Sequence, residues 1–262
     1  MNLSIIIPVY NSEKILDNLI NQIYSSLSNT DISDNYEIIL INDQSEDESW
    51  KKIKNLCLKN KFLKGINLRE NFGQHNAIMA GLNYCNGKKI ITMDDDLQHP
   101  PEFLINIYNE LKNNDACYTY YKNRRHIKWK KIVSWANNII SSFLLNKPFH
   151  IYLSSFRGIN RNVVNKIIQF KDVNVYLDSL ILNATKNISM ITVEHSQRLS
   201  GESNYTFKKL IKLWSNMVLS SKFYPLRFSS ILVGVLKITI KLMIDTKQKK
   251  YQYSILEKTF ND

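Results

Sequence analysis

The chain has 262 residues, of which 44% are hydrophobic and 22% charged; that is enough to bury a full core and excludes a disordered or fibrous polymer. Its formal charge of +12 is unevenly placed, with 10 Lys and Arg against 13 Asp and Glu in residues 1–100, but 25 against 10 in residues 101–262. The second part therefore suits an anionic partner (lipid head groups, phosphates or nucleic acid), and charge alone does not choose among them.

Residues 3–9 form a near-continuous apolar run followed by Tyr10 and Asn11, as in a strand covered on both faces of a parallel sheet. Ser12 has the chemistry of a helix N-cap. Ile15, Leu16, Leu19, Ile20, Ile23 and Leu27 then recur at helical spacing. A second buried strand is expected over 37–43, ending in Asp43, with a helix over about 46–60 and a short strand over 63–68. Asn71-Phe72-Gly73-Gln74 leads into a helix that runs to Tyr84.

The next strand, from Lys88, ends in Asp94-Asp95-Asp96-Leu97-Gln98-His99-Pro100-Pro101. On an extended backbone Asp94 and Asp96 share one face and Asp95 takes the other. Two carboxylates at the end of an apolar strand repel each other. A divalent cation that takes oxygen ligands, with positions left for phosphate oxygens, relieves that repulsion. The competing reading is an acidic loop over solvent, and the apolar strand feeding the motif favours the metal.

Strands and helices alternating at these lengths predict an α/β fold, an open, mostly parallel sheet flanked by helices. Ligands sit beyond the carboxyl ends of such strands, where Tyr10, Asn11, Asp43, Asn71, Asp94 and Asp96 would converge. No Gly-x-Gly-x-x-Gly follows the first strand and no Gly-Lys-Ser/Thr loop is present, which disfavours a dinucleotide redox enzyme and a P-loop ATPase.

After a helix near 101–112 and a strand over 116–121, residues 122–131 are basic and include Trp129. An apolar helix with Trp135 is expected over 132–145. The basic run reads either as a solvated helix start or as an arm facing phosphate or membrane. A short strand near 154–159, helices over about 160–170 and from 176, and a strand over 190–195 follow. Two amphipathic helices are expected over 206–222 and 228–244. The second carries Lys237 and Lys241 inside its apolar run, so the bilayer interface suits it better than a span across the bilayer. Lys247, Lys249 and Lys250 extend a basic tail. The expected organisation is one domain over 1–205 and an appendage of membrane-interface helices and tail over 206–262. Cys57, Cys85 and Cys117 have no metal-type spacing and read as reduced thiols. The start runs directly into a strand pattern, with no secretory signal visible.

Taken together, Ile7-Pro8-Val9-Tyr10-Asn11, Asn42-Asp43-Gln44-Ser45, Asn71-Phe72-Gly73-Gln74 and Met93 to Glu102 resemble the family 2 glycosyltransferases with the GT-A (Rossmann-like) fold. Within that family they resemble the polyprenyl-phosphate glycosyltransferase branch, which includes dolichol-phosphate mannose synthase-like enzymes. Ser155-Phe156-Arg157, Arg198-x-x-Gly201-x-Ser203 and Tyr224-Pro225-Leu226-Arg227 agree, and the resemblance covers about residues 1–235. It implies that Pro8, Tyr10, Asn11, Asn71, Gly73 and Asp95 line the donor pocket, with Asp43 accepting a hydrogen bond from the base. It further implies that Asp94 and Asp96 hold Mg²⁺ or Mn²⁺ on the donor diphosphate with Gln98 nearby, and that Arg157 and Arg198 face phosphates, a role suited to a guanidinium.

Three departures stand out. Asn42 precedes Asp43 where the family often has a second Asp, Ser155 stands where many relatives carry an acid, and Asn204 stands where many carry Lys. For a sugar hydroxyl acceptor the expected general base is Asp178, at a helix start; a lipid phosphate, already ionised, needs none. The expectation is an inverting transferase on the cytoplasmic face of a membrane, peripheral and bound through its anionic surface. It would move a sugar from a nucleotide-diphosphate donor to a lipid-linked acceptor in cell-surface polysaccharide synthesis. The alternative is transfer directly onto polyprenyl phosphate. A homo-oligomer is left open. A sugar nucleotidyltransferase is disfavoured for want of a Gly-rich triphosphate loop, and a nucleic-acid binder because it leaves the carboxylates unexplained.

Overall fold

The computed structural model describes residues 1–121, 142, 147–193 and 251–261. The basic run, the helices expected over 206–222 and 228–244, all but Ser142 of the one over 132–145, and Arg198 lie outside the described residues. Eight strands form one sheet: β1 (Leu3–Val9), β2 (Tyr36–Asn42), β3 (Leu63–Leu68), β4 (Lys89–Thr92), β5 (Ala116–Tyr121), β6 (Arg157–Asn160), β7 (Ile188–Val193) and β8 (Ile255–Lys258). Their order is β7-β5-β6-β4-β1-β2-β3-β8. β6 and β8 run antiparallel to their neighbours, and the other pairings are parallel.

β1 and β2 are buried along their whole length because helices cover both faces. Ile6, Ile39 and Ile41 face one layer with α3 (Gln74–Tyr84), α5 (Arg161–Ile167) and α6 (Leu177–Ala184). Ile5, Ile7, Ile38 and Leu40 face the other, with α1 (Leu16–Leu27), Ile53 of α2 (Ser49–Lys59) and α4 (Leu104–Glu110). This period-2 division of a continuous apolar run is what a doubly covered strand requires. Emptying one such site, as Ile6→Ala would, costs about 2–5 kcal/mol. α3 lies close on the sheet because residue 81 is glycine; a Cβ there would come within 2.7 Å of Ile6 and 2.9 Å of Ile41.

One expectation is corrected. Ser12 does not cap α1, which begins at Leu16 without a side-chain cap; its hydroxyl is engaged at the acidic motif described below. Lys247, Lys249 and Lys250 lie outside the described residues, and the strand after them joins the sheet. β8 pairs with β3 (Ile66 opposite Lys258), Thr259 exchanges hydrogen bonds with Gly65 at 3.0 and 2.8 Å, and the Trp50 indole donates to Glu257 at 2.8 Å. Ile255 and Phe260 pack on the α3 side of the core. The sheet thus draws on sequence beyond the expected boundary at 206.

At the amino ends of the strands Glu37 is buried among Ser4 Oγ (2.6 Å), the Asn86 N–H (2.5 Å) and Lys64 Nζ (2.7 Å). Burial opposes its charge, but the hydrogen bonds from Lys64, Ser4 and Asn86 outweigh it and hold the carboxyl below the ordinary carboxylate range. A carboxyl depressed in the folded state adds stability above its unfolded pKa, and that contribution is lost as pH falls through the folded value. The thermal midpoint of the wild-type chain should therefore fall below about pH 4.5. Glu37→Gln should be less stable by about 2–3 kcal/mol at pH 7 and show a shallower acid limb. Thermal unfolding of both between pH 3 and 7 checks this; parallel acid limbs would contradict it.

Candidate active site

The loops that follow β1, β2, β3 and β4 meet at the carboxyl edge of the sheet, and each contains a residue with positive φ: Asn11 (55°), Gln44 (57°), Gly73 (85°) and Leu97 (62°). Asn tolerates this region and glycine favours it, whereas Gln and Leu adopt it at a cost of about 1 kcal/mol or more. Such turns recur here because each strand must reverse sharply while its first loop residues stay at the rim.

Hydrogen bonds join these loops. The Asn11 N–H donates to Ser45 Oγ (3.0 Å) and Asn11 Oδ1 accepts the Glu46 N–H (2.8 Å). The Ser12 N–H reaches Ser49 Oγ at 2.9 Å. Asp43, nearly buried, accepts the Phe72 N–H on one oxygen (2.7 Å) and the Gly73 N–H on the other (2.8 Å). The Asn71 amide donates to the Asp43 carbonyl, and its N–H donates to Gln44 Oε1. Asp43, expected to read a base, thus also holds the loop that starts α3. Pro8 is buried in β1, while Tyr10 and Asn11 are exposed at its end.

The three acidic residues lie beyond β4, with Asp95 and Asp96 in a bend rather than in the extended strand expected from the sequence. Asp95 turns to the loop after β1, accepting from Ser12 Oγ (2.5 Å) and the Tyr10 N–H (3.1 Å). Burial pushes its carboxyl up to about 6, against the hydrogen bonds from Ser12 and Tyr10 and with help from Asp94 and Asp96. Asp94 turns the other way. Its Oδ1 accepts from Gln74 Nε2 (2.5 Å) and its Oδ2 from Ser155 Oγ (2.7 Å). Asp96 accepts the Gln98 N–H at 3.1 Å. β6, antiparallel to β4 with Arg157 opposite Thr92, is what carries Ser155 to this edge.

Arg157 and Asp178 are brought together as a buried pair. Arg157 is 2% exposed, its Nη1 is in contact with Asp178 Oδ1, and its Nε donates to Thr92. Tyr118 OH donates to the same Asp178 oxygen at 2.9 Å. The guanidinium that was to face phosphate and the carboxylate that was to act as base therefore neutralise each other in the interior. Burial lowers the nearby His75 to about 3, with Arg157 adding to the effect. Gln74, Ser155 and His99 were not picked out as site residues from the sequence, although each lies within a motif that was quoted.

Residues 4–168 match the sequence pattern of the family described as Glycosyl transferase family 2. The chain belongs to glycosyltransferase family 2. Over 233 residues this glycosyltransferase is 32% identical to the undecaprenyl-phosphate 4-deoxy-4-formamido-L-arabinose transferase of Shewanella sediminis, covering 88% of this chain and 70% of that one. It is 30% identical over 237 residues to the enzyme of the same name from Proteus mirabilis, covering 90% and 72%. Its fold is similar to that of Staphylococcus aureus TarS in complex with UDP-GlcNAc (TM-score 0.57, 19% identity, 85% of this chain and 68% of that one). It is also similar to glucosyl-3-phosphoglycerate synthase from Mycobacterium tuberculosis in complex with Mn²⁺, UDP and phosphoglyceric acid (TM-score 0.59, 14% identity, 84% and 76%). The glycosyltransferase has the GT-A fold expected from the sequence.

If Asp43 fixes the loop before α3, Asp43→Asn should cost about 1–3 kcal/mol, because it presents an amide to one of two N–H donors. The loss should appear in urea unfolding together with faster hydrogen exchange at the Phe72 and Gly73 amides. Unchanged exchange at both would contradict the assignment.

Proposed function

We propose that this glycosyltransferase moves a sugar from a nucleotide-diphosphate donor onto a polyprenyl phosphate at the cytoplasmic face of a membrane, the second of the two acceptor readings set out above. The observation that carries it is the internal pairing of Asp178 with Arg157 and Tyr118. An acceptor sugar hydroxyl needs a base to take its proton, and the carboxylate expected in that role has its Oδ1 already engaged by two donors. A phosphate monoester is ionised near neutral pH and can attack the anomeric carbon without one. The names of the Shewanella and Proteus relatives, both undecaprenyl-phosphate transferases, support the same acceptor class. No helix among the described residues is long and apolar enough to cross a membrane. Peripheral attachment would therefore fall to the basic and amphipathic stretches over 122–145 and 206–250.

The acidic turn fits a divalent cation by the chemistry of its donors. Asp94 accepts hydrogen bonds from the neutral Gln74 amide and Ser155 hydroxyl, and among the described residues no lysine or arginine pairs with it. Asp94, Asp96 and the Gln98 amide oxygen are hard ligands of the kind Mg²⁺ and Mn²⁺ take. Among the described residues no three His, Cys, Asp or Glu side chains converge on one point, so donor phosphate oxygens would complete the coordination. When bound there, the cation supplies charge neutralisation for the departing diphosphate. Tyr10 and Asn11 at the rim would flank the nucleoside, and Asp43 would both accept from the base and keep the Asn71–Gly73 loop in place. Arg198 would face a phosphate of donor or acceptor.

Membranes incubated with labelled nucleotide sugars should yield a lipid product that releases its sugar in mild acid, as a glycosyl phosphate does. A product stable to mild acid would instead support transfer to a sugar hydroxyl. Asp94→Ala and Asp96→Ala should each lower turnover by at least about 10²-fold, as loss of a charge-stabilising group does. Undiminished turnover in both would reject the metal assignment.

A further inference from the structure

Asp94 is held by two unlike sides. On one, Ser155 Oγ donates to Oδ2 at 2.7 Å, and His99 Nε2 stands 3.4 Å from that hydroxyl and 3.7 Å from Oδ2. This side is rigid. The His99 ring stacks on Phe156 (centroids 5.1 Å apart) and lies near-parallel to Tyr121 (6.1 Å), and its Nδ1 accepts the Asp94 backbone N–H at 2.9 Å. With Nδ1 as acceptor, the neutral imidazole carries its proton on Nε2, toward Ser155. Thr92 Oγ1 donates to the Ser155 carbonyl at 2.7 Å and fixes the backbone there. On the other side, Oδ1 accepts from Gln74, whose side chain is exposed at the first turn of α3.

We propose that Ser155 and His99 are positioning residues that fix Oδ2 of Asp94, and that Gln74 occupies Oδ1 until a divalent cation displaces it. The inference rests on Asp94 being a metal ligand. A hydroxyl at 155 suits the arrangement, since it donates to Asp94, whereas a carboxylate at that distance would repel it. The Gln74 amide and a cation compete for the same lone pairs. Removing the amide therefore takes away a competitor, while removing the Ser155 hydroxyl lets the carboxylate turn out of position. Partners that orient a ligand in this way contribute about 10–100-fold in metal affinity.

The test is titration of the full chain with Mn²⁺ alone, following the free-ion signal by electron paramagnetic resonance, with the thermal midpoint of each variant measured alongside. Ser155→Ala should weaken Mn²⁺ binding by about tenfold or more, and Ser155→Thr, which keeps the hydroxyl, should restore it. His99→Asn, which keeps an acceptor for the Asp94 N–H but loses the Nε2 donor, should weaken binding in the same direction. Gln74→Ala should bind Mn²⁺ at least as tightly as wild type. Wild-type affinity in Ser155→Ala, or a loss in Gln74→Ala matching that in Ser155→Ala, would overturn the proposal. Wild-type affinity in Asp94→Ala would instead overturn the underlying assignment of Asp94 as a ligand.

Discussion

Two carboxylates hold the functional rim of this glycosyltransferase together. Asp43 takes both N–H groups at the start of α3, and Asp95 takes the Ser12 hydroxyl and the Tyr10 N–H. Asp43 ties the loop after β2 to the loop after β3, Asp95 ties the loop after β4 to the loop after β1, and the Asn11–Ser45 and Asn11–Glu46 contacts join the two pairs. Four parallel strands that end together would otherwise present four independent loops, each bent through a left-handed residue. Buried carboxylates hydrogen-bonded to backbone N–H groups are strong enough to hold such turns. Asp94 turns away from the β1 loop, toward Gln74 and Ser155.

The central sheet was legible because its strands are covered on both faces. Apolar runs such as residues 3–9 and 37–43, bounded by polar loop residues, suit a strand covered on both faces, and β3 and β5 have the bounds the pattern gives. β8 was not legible. Ile-Leu-Glu-Lys is four residues with a half-exposed pattern, and it pairs with a strand nearly 190 positions earlier, so no local periodicity marks it. Ser12 was misread for a related reason: Ser followed by an acid has the local chemistry of a cap, but a buried carboxylate from residue 95 offers its hydroxyl a stronger partner.

The motifs lie on loops that the fold brings to one edge of the sheet, but the pairings across them were not legible. The family resemblance implies that Arg157 faces a phosphate and the sequence puts Asp178 at a helix start, yet neither can show that β6 and α6 bring the two together in contact with Thr92 and Tyr118. A buried ion pair of this kind is costly to break, since either partner left alone is an uncompensated charge. Ser155 was legible only as a departure from the family pattern and His99 only as part of the acidic motif, because the contacts of Ser155 with Asp94 and His99 cross between the ends of β6 and β4.

The most direct measurement is the anomalous scattering of manganese in a crystal of the full chain grown with Mn²⁺ and a nucleoside diphosphate. The account predicts a peak about 2.1 Å from oxygens of Asp94 and Asp96, with the Asp95 carboxylate still on Ser12 and Tyr10. A manganese peak placed elsewhere, or a bound nucleotide with Asp94 still engaged by both Gln74 and Ser155 and no metal beside it, would contradict it.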